Sequence, residues 1–197
     1  MTEIDLFAEI ELELTKTLGQ PAYLAGDLVS GDRVLGIGGF PTLKRLQAGD
    51  MVILDLWFTV GGYWSDSART LIIDSEPTKG QIRLHDAVCS ALKIIGEVLR
   101  PGMTGCEAYT IVRDALEQVS AMGDYFPHHA GHGIGLCAQE APFLIPAWDK
   151  PLPKGAVVTV EPGLYVPGIG GVRCENTFLI GTEGAELLTK ASLDLEV

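Results

Sequence analysis

The 197 residues include 26 acidic and 14 basic side chains, giving a net charge of −12, and 47% are hydrophobic. This length and apolar content suit one domain with a sizeable core, and the 24 glycines imply many tight turns or close backbone approaches. The acidity disfavours a nucleic-acid groove or an anionic membrane surface, and no apolar run approaches the roughly 18 residues of a membrane span.

The first segment, MTEIDLFAEIELELTKTLGQ, has helical character, with Ile4, Leu6, Phe7, Ile10, Leu12 and Leu14 set between acids and Thr2 placed as a cap. A glycine-rich GIGGF follows at 36–40. Two strand-like runs come next, MVILDLWFTV and GYWSDSARTLII, rich in β-branched and aromatic residues and joined around Gly61-Gly62. GQIRLHDAVCSALKIIGEVLR reads as a helix closed by Pro101-Gly102, and His85 within it as a surface or boundary residue. MTGCEAYTIVRDALEQVSAM, from Met103, repeats the Met-Thr start of the chain and again reads as a helix. The stretch HHAGHGIGLCAQEAP (128–142) holds three of the four histidines among glycines.

The second half echoes the first. LQAGDMVILDL (46–56) resembles LPKGAVVTVEP (152–162), aligning Asp55 with Glu161. YWSDSARTLII (63–73) parallels VRCENTFLIGT (172–182), aligning Asp66 with Glu175. Two related halves, about 1–75 and 101–185, would face each other across a pseudo-two-fold axis within a single domain spanning 1–197.

If Gly61-Gly62 form a two-residue turn, Val60 pairs with Tyr63 and Trp57 with Asp66. Asp55 and Asp66 are then diagonal neighbours on one face. Acids that close repel unless something positive lies between them, and an aspartate in VILDLW is poorly placed for free solvation. Were the halves folded face to face, four carboxylates could converge with His132. That hard, oxygen-rich set suits two divalent ions such as Mn²⁺, Co²⁺, Fe²⁺ or Zn²⁺, and a hydroxide between two such ions is a good nucleophile for hydrolysis. The four cysteines, Cys89, Cys106, Cys137 and Cys174, form no CxxC pair, and no signal peptide begins the chain, so the thiols read as reduced and the protein as cytoplasmic.

Asp55 and Asp66 eleven residues apart, then GHGIG, VEPG and GGVRCEN, resemble the pita-bread metallopeptidases, and EPGLYVPGIGGVRCENTFLI and GYWSDSARTL are most similar to their Xaa-Pro branch, which includes aminopeptidase P and prolidase. The resemblance implies an α+β fold of two pseudo-symmetric halves, with helices packed on a curved, mainly antiparallel sheet. It also implies a metal set of Asp55, Asp66, His132, Glu161 and Glu175 holding two divalent ions, Mn²⁺ or Co²⁺ foremost, with Asp66 and Glu175 bridging. Glu161 would double as acid/base and His128 would contact substrate. The activity implied is removal of the amino-terminal residue from short Xaa-Pro peptides, in a chain that could form a homodimer.

Two positions depart from that pattern. The family histidine seven residues after His132 is Gln139, and the one about 17 residues before Asp55 is Gly38, both at positions that serve substrate binding and stabilisation of the tetrahedral intermediate. Gln139 can donate a hydrogen bond but cannot carry a proton. Smaller changes put Trp57 where a glycine is usual and Asn176 where an aspartate is usual. The chain begins at the first catalytic-domain helix, so the amino-terminal domain of the longer relatives is expected to be absent. These departures open two alternatives: a creatinase-like hydrolase of a C–N bond in a small non-peptide amide, or a metal-binding pita-bread module impaired in catalysis.

Overall fold

The computed structural model describes residues 1–195, with residues 119 and 120 described as backbone only. Its three helices start with the same reciprocal cap, in which a threonine hydroxyl accepts the N–H three residues on while that residue's side chain accepts the threonine N–H. Thr2 and Asp5 open α1 (Glu3–Leu18), Thr78 and Gln81 open α2 (Lys79–Val98), and Thr104 and Glu107 open α3 (Gly105–Ser120). The α1 helix departs from its apolar pattern: Ile4 and Leu12 are exposed and its one buried residue is Glu3. That carboxylate accepts from Ser30 N (2.9 Å) and Oγ (2.7 Å), from Thr42 N (3.0 Å) and Oγ1 (2.8 Å), and pairs with Arg33. Several donors satisfy what would otherwise be a costly buried charge.

Strands β1 (Leu24–Ser30), β2 (Met51–Val60) and β3 (Tyr63–Ile72) form an antiparallel sheet in that order. Its hairpin turns on Gly61 and Gly62, at φ of 60° and 85°, and pairs Val60 with Tyr63 and Trp57 with Asp66. Strands β4 (Gly131–Gly133), β5 (Glu140–Leu144), β6 (Val157–Val160), β9 (Asn176–Ile180) and β10 (Ala185–Leu187) form a second sheet, ordered β10-β9-β6-β4-β5. Between β6 and β9 the chain forms a separate antiparallel ribbon of β7 (Gly163–Val166) and β8 (Gly170–Arg173). The fold is thus α+β, with helices on antiparallel sheets, as the resemblance implied.

Helices α2 and α3 pack together and cover the sheets from outside. Leu84, Val88 and Leu92 of α2 and Val112 and Leu116 of α3 share one buried cluster with Val158, Val160, Leu164 and Ile180. Each fully buried aliphatic side chain contributes about 1.5–3 kcal/mol.

The two sheets meet along β3. Glu175 N donates to Ala68 O (3.0 Å), Thr177 Oγ1 to Asp66 O (3.1 Å), and Thr70 Oγ1 to Arg173 O (2.9 Å). Arg69 donates to the carbonyl of Glu175 and to Asn176 Oδ1 (3.0 Å), tying the same seam. Its other bonds go to the carbonyls of Ala68, Ala191 and Ser192.

Glycines permit two close backbone approaches beside this seam. A Cβ on Gly26 (φ +148°) would lie 2.1 Å from Asp55 O, and one on Gly131 (φ +150°) would lie 2.0 Å from Thr159 O. Both positions combine a glycine-only backbone with no room for a methyl group. Gly26→Ala should therefore cost about 2–4 kcal/mol, the sum of backbone strain and overpacking, read as a lower urea midpoint at unchanged m-value.

Candidate metal centre

Asp55 on β2 and Asp66 on β3 share one face of the hairpin, because the Trp57–Asp66 pairing makes them diagonal neighbours. His132 lies in the three-residue strand β4, Glu161 follows β6, and Glu175 links β8 to β9. The seam brings all five together, and all are buried. Donor atoms of Asp66, His132 and Glu175 lie within 4.8 Å of one another. His132 Nε2 stands 3.4 Å from Glu161 Oε1 and 3.7 Å from Asp66 Oδ2. Asp55 is held at the same place by Arg173, whose Nη2 pairs with its Oδ2.

The imidazole is oriented for ligation. His132 Nδ1 donates to the Gly133 carbonyl (3.0 Å), which fixes the tautomer and leaves the Nε2 lone pair facing the carboxylates. Asp66 Oδ1 and both carboxylate oxygens of Glu175 are buried without a hydrogen-bond partner. Buried oxygens of this kind are ordinarily satisfied, so three orphans in one cluster of acids and imidazole fit a cation.

The electrostatics agree. Burial, reinforced by the Asp55 charge, pushes Asp66 up to about 8. Burial also raises Asp55, against the pull of Arg173, and holds Glu161 and Glu175 well above the usual carboxylate range. Burial lowers His132.

The other expected site residues separate. His128 lies near the centre with both ring nitrogens engaged: Nδ1 donates to the His129 carbonyl (2.8 Å), so Nε2 is the acceptor from Tyr165 OH (2.9 Å). Burial pulls its pKa down to about 3, so it is neutral at physiological pH. Gln139 is exposed in the turn before β5. Gly38 offers no side chain, and the space a Cβ would take is filled by Asp27, whose Oδ2 would lie 1.9 Å from it. Asp27 accepts from Gly39 N (2.9 Å) and pairs with Arg173 (3.0 Å).

Four participants escaped the sequence reading. Arg173 touches Asp27 and Asp55 and donates through Nη1 to Tyr165 OH (2.9 Å) and Ile37 O (2.7 Å). Tyr165 passes that contact on to His128. Asp27 completes the chain of contacts. His129 stands with Nδ1 3.4 Å from Glu161 Oε1, and its ring lies between those of His128 and His132. The available signals were an arginine two residues before Glu175 and a tyrosine four after Glu161; nothing local to Asp27 distinguishes it.

The model of metallopeptidase family M24 matches residues 1–182. The chain belongs to this family. It is 39% identical over 168 residues to a Xaa-Pro dipeptidase of Pyrococcus furiosus, covering 85% of this chain and 48% of that protein. Solved structures of a Xaa-Pro dipeptidase from Bacillus anthracis (TM-score 0.93, 35% identity) and an X-Pro aminopeptidase from Thermotoga maritima (TM-score 0.94, 30% identity) each cover the whole chain with 55% of their own. The chain thus spans about half the length of the M24 relatives it matches. The family is metal-dependent, in keeping with the donor cluster. No helix among the described residues is long and apolar enough to cross a membrane.

The raised carboxyls set a pH signature for the metal-free chain. Asp66 moves from 3.8 unfolded to about 8 folded, so between those values the folded state binds more protons and stability falls as pH rises. His128 and His129, lowered from 6.5 to about 3 and about 4, oppose this only below about pH 6.5. Cys89, lowered from 9.0 to about 5, opposes it across this range, but Glu161 and Glu175, raised like Asp66, outweigh it. Metal-free protein should therefore lose thermal stability from pH 6.5 to 8, and saturating Mn²⁺ should abolish that loss. A flat profile without metal would mean that the acids are solvated.

Proposed function

We propose that the chain is the catalytic part of a metal-dependent peptidase that removes the amino-terminal residue from short Xaa-Pro peptides. The observation that carries this is the convergence of Asp55, Asp66, His132, Glu161 and Glu175, with three buried oxygens unpaired, in a family whose members here include Xaa-Pro dipeptidases. In this reading Asp55, Asp66, His132, Glu161 and Glu175 would together hold two divalent ions. Mn²⁺ or Co²⁺ suits so oxygen-rich a set better than a thiophilic ion. Bound there, such ions supply Lewis acidity and lower the pKa of water.

The protein's own groups divide the remaining work. Glu161 accepts and returns the proton of the attacking water; its carboxyl is buried and flanked by His129 and His132. His128 presents an acceptor nitrogen, so what it offers a substrate is a lone pair for an N–H, exchanged for the Tyr165 hydroxyl. Arg173 holds Asp55 from behind and keeps Tyr165 in place.

The replacements at 38 and 139 predict slow turnover, because a missing positioned donor costs about 10²–10³ in rate. Mn²⁺-loaded protein should retain two ions per chain by native mass spectrometry, lost in Asp66→Ala, and should cleave Xaa-Pro dipeptides in preference to other dipeptides. Gln139→His should raise kcat, by up to about 10²-fold, with metal content unchanged. Loaded protein that cleaves no Xaa-Pro peptide would overturn the reading.

A further inference from the structure

A second group of donors lies on the far side of the β8–β9 link. His85 and Cys89 stand four residues apart on one face of α2, and Cys174 faces them from the segment before β9. Their donor atoms all lie within 4.8 Å of one another. His85, read from sequence as a surface or boundary residue, is buried at 8% exposure, and Cys174 is fully buried.

We propose that His85, Cys89 and Cys174 form a thiophilic metal site, for Zn²⁺, distinct from the carboxylate centre. The donor set is that of structural and catalytic zinc, two sulfurs and an imidazole, and lacks the carboxylates that suit Mn²⁺. Cys89 Sγ lies 3.5 Å from His85 Nε2. An edge of a zinc tetrahedron between sulfur and nitrogen is about 3.6 Å, so this pair already has ligating separation. The other separations in the trio are at most 4.8 Å, so no more than roughly 1 Å of closure reaches a sulfur–sulfur edge, within reach of a rotation of the half-buried Cys89.

The surroundings fit a cation. The Leu193 carbonyl hydrogen-bonds the His85 ring, the outer-shell contact that orients a ligating imidazole. Cys174 and His85 both make contact with the Cys89 sulfur. Asp86 acts on both His85 and Cys89, while Arg69 lies on the Cys174 side. Cys89 and Asp86 line a cleft of about 710 Å³ with Leu92, Phe178 and Leu187, so an ion has a route in and a fourth position can take water or Asp86. On binding, each thiol that ligates gives its proton to solvent.

The site adjoins the first one through a single peptide. Cys174 and Glu175 are neighbours in the chain, one side chain turned toward α2 and the other toward the carboxylate cluster.

Cd²⁺ is the probe, because its thiolate charge-transfer band in the ultraviolet reports sulfur ligation and is blind to carboxylates. The full chain, reduced and saturated with Mn²⁺, would carry Cys106→Ser and Cys137→Ser to remove the other two thiols. One equivalent of Cd²⁺ should saturate the band and Zn²⁺ should erase it. Cys89→Ser should abolish the band, His85→Gln should weaken binding at least tenfold, and Asp66→Ala should leave it unchanged. No band at tenfold excess Cd²⁺, or a band that survives Cys89→Ser, would overturn the proposal. Cys89 is only half-buried, so its serine variant keeps the test open if changes at Cys174 prevent folding. Because the band needs no turnover, its outcome is separate from the fate of the peptidase reading.

Discussion

Four carboxyl groups can share one dry seam as anions only if positive charge is placed among them; without it they hold protons. Each buried carboxylate costs several kcal/mol to desolvate, and each raises the pKa of the next. Here one guanidinium, Arg173, faces Asp55, while the Glu175 carboxyl and one oxygen of Asp66 have no partner. The burial comes from the join of two sheets, whose backbone bonds, Glu175 to Ala68 and Thr177 to Asp66, leave no room for the acids to part. The fold and the need for a cation are therefore one constraint seen from two sides.

That constraint explains how much could be read from the chain. The helix starts were legible because Thr2 and Thr104 stand three residues ahead of Asp5 and Glu107, a purely local pattern. The hairpin register was legible because two glycines fix the turn and strand alternation does the rest. Order along the chain named the acids, but their meeting depends on how the halves close, which no local pattern encodes. Arg173, Tyr165 and Asp27 were missed for the same reason: each acts on a partner on a different strand. His85 was misjudged because a helix read alone does not show which flank a distant strand will cover. In α1 the apolar spacing misled, since the residue it buries is Glu3, paid for by donors from Ser30, Arg33 and Thr42.

The protein's two donor clusters differ in hardness as well as place. Asp66, Glu175 and His132 gather mostly oxygen, whereas His85, Cys89 and Cys174 gather mostly sulfur. Such sets discriminate among divalent ions by ligand type rather than by affinity alone. Adjacent residues of the extended link between β8 and β9, Cys174 and Glu175 serve opposite sides and so belong to different chemical environments.

The Asp27 carboxylate and any side chain at position 38 claim the same volume. A histidine at 38 would have to displace the Asp27 carboxylate, and losing or moving that group leaves Arg173 and the Gly39 N–H short of an acceptor. Positions 27 and 38 are thus coupled: the carboxylate that serves Arg173 and the Gly39 N–H also sets the room available at 38.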